Sequence, residues 1–320
     1  MTLTTAALVG FALGLDRLIG EPPNAVHPVA WLGRLVGALD RRWSDDDRRQ
    51  RLIGYAIAFV VPLVPAAVAG GAVLVAAAAH PIAGALVAGL VLFLTSSLRM
   101  LLELTREVVA ATGSDLETAR ERIRGLVGRD TSTLSPAELR SAALESAAEN
   151  LADGLVATVL PFALLAPVSL PVAAAAAAWV KGVNTLDSML GYPSKPIGTA
   201  SARLDDVAMW VPARVSAAAI ALAAVDPSAL RCAGRWARTP PSPNSGWPMA
   251  TLACALSVRF TKPGVYDLNS GAELPALEDG ERAIALVGRA AIVAAASAIA
   301  LGVALASLLG THPTLAVIAR

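Results

Sequence analysis

Six carboxylates stand in an otherwise apolar stretch of this chain: Glu145, Glu149 and Asp153 four residues apart, Asp187 within NTLDSM (184–189), and Asp205 with Asp206 within ARLDD (202–206). At the centre of a membrane helix an acid costs roughly 2.5 to 3.5 kcal/mol on insertion scales, so acids crowded between apolar segments must be paired, wet or chelating. Residues four apart on a helix drift by only about 40° per step, so Glu145, Glu149 and Asp153 share one face. Their neighbours are Ala, Ser and Asn rather than the Lys or Arg that usually interleave a solvated acidic stripe. We read that face as binding a divalent cation or a cationic substrate, the alternative being a solvated surface. Asp205 and Asp206 read less sharply, because paired acids are common at helix starts and Arg203 and Arg214 flank them, which also suits a structural ion-pair network.

Bases at Arg129, Lys181, Arg203 and Arg214 and hydroxyls at Thr131, Ser188 and Ser242 supply phosphate contacts. Mg²⁺ commonly takes one or two protein carboxylates and completes its shell with phosphate oxygens and water. The expected ligands are Glu145, Glu149, Asp205 and Asp206, with all six acids as catalytic candidates. No Walker A loop, GxGxxG fingerprint, GxSxG elbow or HExxH pair occurs, so ATP would be held through Mg²⁺ and basic contacts instead.

The elements that position these groups are membrane helices. Of 320 residues, 55% are hydrophobic and 16% charged, and the mean hydropathy is +0.60, too apolar for an ordinary soluble chain. A net charge of +1 and 4% aromatic residues give nucleic acid nothing to bind. His27, His80 and His312 are far apart, and Cys232 and Cys254 form neither a disulfide framework nor a metal spacing, so both cysteines are expected to be packing residues. No basic segment precedes the first apolar run, which is therefore expected to remain as a helix.

Residues 3–15 are too short to cross a bilayer, and Asp16, Glu21 and His27 follow as a solvated helix end or as part of a site. The arginine-rich stretch 34–51 places a loop in the cytoplasm. Spans are expected over 52–79 and 82–98, joined by a His80-Pro81 turn. From 99 to 153 a cytoplasmic helical insertion follows: an amphipathic helix capped by Ser114 and Glu117, with Leu116, Ala119, Ile123 and Leu126 as its stripe and Gly128 at its end, then a helix opened by Ser135, Pro136 and Glu138. Residues 155–180, broken by Pro161, Pro167 and Pro171, form one kinked span or a re-entrant hairpin, and we take the hairpin. Residues 207–225 also dip in and return, 226–282 is a polar loop region with a short helix at 249–258, and 283–309 is the last span. The fold expected is an all-α polytopic membrane bundle with cytoplasmic amphipathic helices and re-entrant segments. It forms one domain over 1–320, in the cell (inner) membrane with its site facing the cytoplasm.

GRDTSTLS, ALESAAENLADGL, VNTLDSMLGY, ARLDDVAMWVPAR and SPNSGWPMA, in this order, resemble the adenosylcobinamide-phosphate synthase (CobD/CbiB) family of cobalamin biosynthesis, as does the opening LDRLIGEPPNAVHPVAWLG. The resemblance covers almost the whole chain. It implies a membrane enzyme that joins adenosylcobyric acid to (R)-1-amino-2-propanol O-phosphate, or to free aminopropanol, with ATP and Mg²⁺. Its partners would be that corrinoid, the lipid bilayer, and a second copy or other corrinoid-pathway proteins. Carried over by motif, Glu145, Glu149, Asn150 and Asp153 match one element, Asn184, Thr185, Asp187 and Ser188 a second, and Arg203, Asp205, Asp206, Pro212 and Arg214 a third. Asn244 falls in the SPNSGW motif and is counted with the substrate contacts. Glu21 stands where the family has Asp, Met209 where it has Asn, Lys181 where Arg is common, and PSKPIG lacks the family's aromatic residues. A transporter with an intramembrane acidic path and a non-catalytic membrane signalling protein of the AmpE type are the competing readings.

Overall fold

The structure is a computed structural model that describes residues 2–128 and 130–311, so Arg129 lies outside the described residues. Its helices are α1 (Thr2–Leu18), α2 (Pro28–Leu39), α3 (Asp47–Val60), α4 (Leu63–Ala79), α5 (Pro81–Thr95), α6 (Arg99–Ala111), α7 (Leu116–Arg122) and α8 (Pro136–Leu151). There follow α9 (Ala157–Leu165), α10 (Leu170–Leu190), α11 (Thr199–Ala208), α12 (Trp210–Ala223), α13 (Ser228–Ala233), α14 (Gly246–Leu256) and α15 (Leu277–Thr311). Four helical runs are long and apolar enough to cross a membrane: Asp47–Ala79, Pro81–Ala111, Pro136–Leu165 and Leu277–Leu308. Residues 196–208 and 210–223, bent by 46° at their junction, would make a fifth if they act as one span. The chain is an all-α polytopic membrane protein.

Two compact units divide it. The first comprises Met1–Ser97, Ala157–Ala208 and Ala295–Arg320. Its centre is α10, which packs on α2, α4, α5, α9 and α11. Helix α4, LVPAAVAGGAVLVAAAA, has no polar side, so it can lie between a packed face and lipid. His80 ends α4 and caps α5, its Nδ1 accepting the Ile82 N–H at 3.2 Å, with Pro81 as the first helical residue. The proline-broken stretch turns back once, at 166–169, where α9 meets α10, but not as two half-helices: α9, with Pro161 inside it, completes the candidate span Pro136–Leu165, and α10 runs on to Leu190. Leu32, Val36, Ile57, Leu186, Leu190 and Ile197 make a core that fastens α2 and α3 to the C-terminal half of α10. Gly54 lets α3 lie against the Ile197 carbonyl, which a Cβ would strike.

The second unit comprises Leu98–Val156 and Met209–Ala294. Its α8 starts as the sequence indicates: Ser135 accepts from the Glu138 N–H at 3.3 Å, and Glu138 accepts the Ser135 N–H at 2.8 Å, a reciprocal capping box. The preceding helix starts one residue later than its sequence suggests. Asp115 is its N-cap, accepting from Glu117 and Thr118, while Ser114 turns its hydroxyl back to the Ala110 carbonyl. Aspartate offers two acceptor oxygens where serine offers one, so it takes the cap. That helix also ends early, at Arg122, in a 3₁₀ turn through Gly125, and Gly128 does not terminate it. Its apolar stripe packs as expected, with Ala119 and Ile123 buried against Val108 and Leu139, and Leu116 and Leu126 beside them.

Two features of this unit depart from the sequence reading. Within the region taken as a polar loop, Phe260–Lys262 and Tyr266–Leu268 pair as antiparallel strands, β1 and β2, with Phe260 opposite Leu268. Cys232 and Cys254, expected to be packing residues, form a disulfide across α13 and α14, their Cα atoms 6.1 Å apart. A single pair 22 residues apart has no spacing signature, and only the packing of the two helices brings the sulfurs together.

Two stability predictions follow from these contacts. Gly54→Ala should lower stability by about 1 to 3 kcal/mol, since the carbonyl it meets belongs to backbone that cannot swing away. Cys232→Ser should cost about 3 kcal/mol by the loop-closure estimate for a 22-residue loop. Thermal unfolding of the detergent-solubilised protein, run without reductant, checks both; an unchanged midpoint in either variant contradicts the packing described.

Candidate functional site

In the first unit the second half of α10 and the end of α11 carry the acids. Asp187 lies beyond the apolar part of α10 and is half-buried. Burial, and secondarily the negative charge of Asp206, push its carboxyl up to about 6. The sequence alone allowed Asp205 and Asp206 to be helix-start residues. They sit instead in the last turn of α11, where the helix dipole is negative and disfavours them. Capping therefore does not explain them. A Cβ on Gly191 would run into the Asp187 carboxylate and stand 2.8 Å from the Asp187 carbonyl, so the glycine of LDSMLGY is what lets that side chain fold over the helix end.

Neighbouring polar groups on α10 are more committed than their types suggest. Ser188 Oγ donates to the Asn184 carbonyl and Thr185 Oγ1 to the Lys181 carbonyl, both at 2.8 Å, so neither hydroxyl proton is left for a phosphate. Arg203 reaches the Tyr55 hydroxyl at 3.3 Å. Lys195 of PSKPIG pairs with Asp40 at 2.5 Å and donates to the Met189 carbonyl at 3.1 Å, which closes that loop back onto α2 and α10.

In the second unit Glu145 is 4% exposed. Ser141 donates to its Oε1 at 2.8 Å and Tyr266 of β2 to its Oε2 at 2.6 Å. Ser141 in turn accepts the Thr261 N–H of β1 at 2.7 Å. A carboxylate so enclosed fastens the hairpin to α8 and has little left to offer a cation. Glu149 and Asn150 lie one turn further on and are less buried, Asn150 donating to the Ser146 carbonyl and hydroxyl at 3.0 Å each. Asp153 falls within a π turn, Ala152–Val156, against which α12 packs. Such turns are frequent at functional positions. Here the wide turn ends the regular four-residue register of the stripe.

Arg214 of α12 donates to Asn244 Oδ1 at 2.6 Å, to the Trp210 carbonyl at 2.9 Å and to the Pro243 carbonyl at 3.3 Å. Its guanidinium lies over the Trp210 and Trp247 rings, 4.5 and 5.4 Å from their centroids. Ser242 accepts the Asn244 and Ser245 N–H groups at 3.2 and 3.4 Å and turns the loop. Arg214, Ser242 and Asn244 are thus joined, chiefly to one another. Thr131 is buried at 3% exposure. Sequence reasoning missed Ser141, Thr261, Tyr266, Trp210 and Trp247. Ser141, four residues before Glu145, was discoverable by helical spacing, whereas Tyr266 lies 121 residues away in sequence.

This arrangement of motifs has relatives. A family model described as CobD/CbiB protein matches residues 9–297. The chain belongs to that family. A probable cobalamin biosynthesis protein CobD of Methanothrix thermoacetophila is 38% identical over 89% of this chain and 92% of its own length. The cobalamin biosynthesis protein CobD of Klebsiella pneumoniae is 39% identical over 85% of this chain and 86% of its own, and CbiB of Salmonella paratyphi A is 36% identical over the same shares. No solved structure matches the chain.

The raised Asp187 carboxyl has a measurable consequence. A group whose folded pKa exceeds its unfolded value of 3.8 contributes stability below that value, and loses it as pH rises through about 6. Asp187→Asn removes the ionised form. It should therefore unfold at a higher temperature than the parent at pH 7.5 and at the same temperature near pH 4; equal midpoints at pH 7.5 would show a solvated carboxylate.

Proposed function

We propose that this protein acts in cobalamin biosynthesis as an ATP-dependent amide synthase, joining a carboxyl side chain of adenosylcobyric acid to the amine of (R)-1-amino-2-propanol O-phosphate or of free aminopropanol. Membership of the family and the names of its relatives support the pathway. The observation that carries the chemistry is the Asp187 and Asp206 pair, two carboxylates close enough for one charge to raise the other's pKa, at the ends of two helices where no cap requires them.

A carboxylate does not form an amide at neutral pH without activation. In the proposed sequence a carboxylate oxygen of the corrinoid attacks the γ-phosphorus of ATP and ADP departs, leaving an acyl phosphate. The amine nitrogen then attacks the acyl carbon, phosphate leaves, and the nitrogen gives up a proton. Asp187, made more basic by burial, is suited to take that proton at neutral pH.

Mg²⁺ fits the residues present. Among the described residues no group of three or more His, Cys, Asp or Glu could cage a metal, but a Mg²⁺ bound with a triphosphate needs only one or two protein carboxylates. Asp205 and Asp206 would hold it, and it would supply charge neutralisation for phosphoryl transfer. Glu145, held through both oxygens, positions α8 in this reading rather than ligating. Arg214 is spent on the 242–247 loop and orders it.

Purified protein given adenosylcobyric acid, aminopropanol phosphate and Mg-ATP should yield ADP and adenosylcobinamide phosphate by mass detection. The rate should rise with pH as Asp187 ionises, with a midpoint below about 6 once Mg²⁺ offsets the charge of Asp206. Asp187→Asn and Asp206→Asn should each lose about 100-fold or more in turnover while remaining folded. Folded parent protein that makes neither product, or variants that turn over normally, would overturn the assignment.

A further inference from the structure

The first unit holds a cavity of about 170 Å³ that the proposed chemistry does not use. Four helices frame it, with Val29 of α2, Val68, Ala69 and Ala72 of α4, Thr95 of α5 and Lys181 of α10 in its wall. Its walls are almost wholly hydrocarbon. Thr95 turns its hydroxyl to the Val91 and Leu92 carbonyls and adds no donor to the interior. Lys181 is the one charged residue among those that line it.

The position of the mouth decides what can enter. Val68 is 67% exposed, and Ala72, one turn along, is exposed as well. Both lie on α4 within the candidate span Asp47–Ala79, whose outer surface continues as exposed Val64, Leu74 and Val75. That surface faces lipid, so the opening is reached from the hydrocarbon of the bilayer. A small hydrophilic solute would find no partner along such walls. A hydrocarbon chain would find continuous apolar contact.

At the Lys181 side the chain is also polar and ordered. His27, 6% exposed, accepts the Val29 N–H on Nδ1 at 3.1 Å, which leaves Nε2 as the protonated nitrogen, 3.9 Å from Glu21. His27, open in the sequence to a solvated helix end, is instead buried next to Pro28 of the cavity wall, with the partly buried Glu21 beside it. Burial lowers the His27 pKa, Glu21 opposes that, and the charge of Lys181 adds to it, which places the lysine within electrostatic reach.

We infer that this cavity is a lipid site: an anionic phospholipid inserts an acyl chain past Val68 between α2, α4, α5 and α10, with its phosphate at Lys181. Basic pockets between membrane helices bind anionic head groups by this combination of charge and apolar depth. Occupancy would hold the N-terminal turn of α2 against α10, the helix that carries Lys181, Asn184 and Asp187.

The test is native mass spectrometry of the full chain released from nanodiscs of phosphatidylglycerol or phosphatidylcholine with identical acyl chains. The parent protein should retain one phosphatidylglycerol per chain, at least fivefold more often than phosphatidylcholine, and inorganic phosphate at millimolar concentration should not displace it. Val68→Trp at the mouth and Ala69→Phe in the wall should each reduce retention at least fivefold. Lys181→Gln should bring the two lipids to equal retention. Equal retention of both lipids by the parent, displacement by phosphate alone, or unchanged retention in Val68→Trp would overturn the site. Should Ala69→Phe fail to fold, Val68→Trp, which grows from an exposed position, still decides.

Discussion

The constraint on which this molecule turns is the cost of negative charge in apolar surroundings. Asp187 and Asp206 are partly withdrawn from water and repel one another, and the helix ends that bear them add no favourable dipole. Their mutual repulsion is a cost to the fold. A proton or a cation shared by the two carboxylates would relieve that repulsion. Glu145 shows the opposite solution within the same chain: two hydroxyls satisfy it and it becomes part of the scaffold. Acids of similar sequence context thus differ in what surrounds them, and it is the folded surroundings that set the role of each.

That difference marks the limit of what the sequence discloses. Helices, caps and spans rest on local rules. Ser135 with Glu138 opens α8, and the apolar runs around residues 52–79 and 283–308 are membrane length. Asp115 displaced Ser114 as a cap because two good candidates were adjacent and the better acceptor won. Long-range partners leave no local trace. Nothing in the spacing of Ser141, Thr261 and Tyr266 announces that a strand pair will lie on α8, and nothing about Cys232 and Cys254 distinguishes a bonded pair from two packed thiols.

Much of what the sequence offers as binding chemistry is used by the protein on itself. The Arg214 guanidinium, sandwiched by two indoles and bonded to the 242–247 loop, orders a segment that also lies inside the ring closed by the disulfide. The Ser188 and Thr185 hydroxyls serve the carbonyls one turn back. Charge and hydroxyl inventories overstate a site for this reason.

The π turn at Ala152–Val156 carries a further implication. A helix turn that accommodates one residue beyond the regular number shifts the azimuth of all that follows by about 100°. Upstream of it the helix shows Glu145 and Glu149; downstream, Val159 and Phe162 are interior. Shortening the chain by a single residue there would leave the helix continuous and its length nearly the same, yet would rotate the apolar positions of α9 out of the packing they now fill.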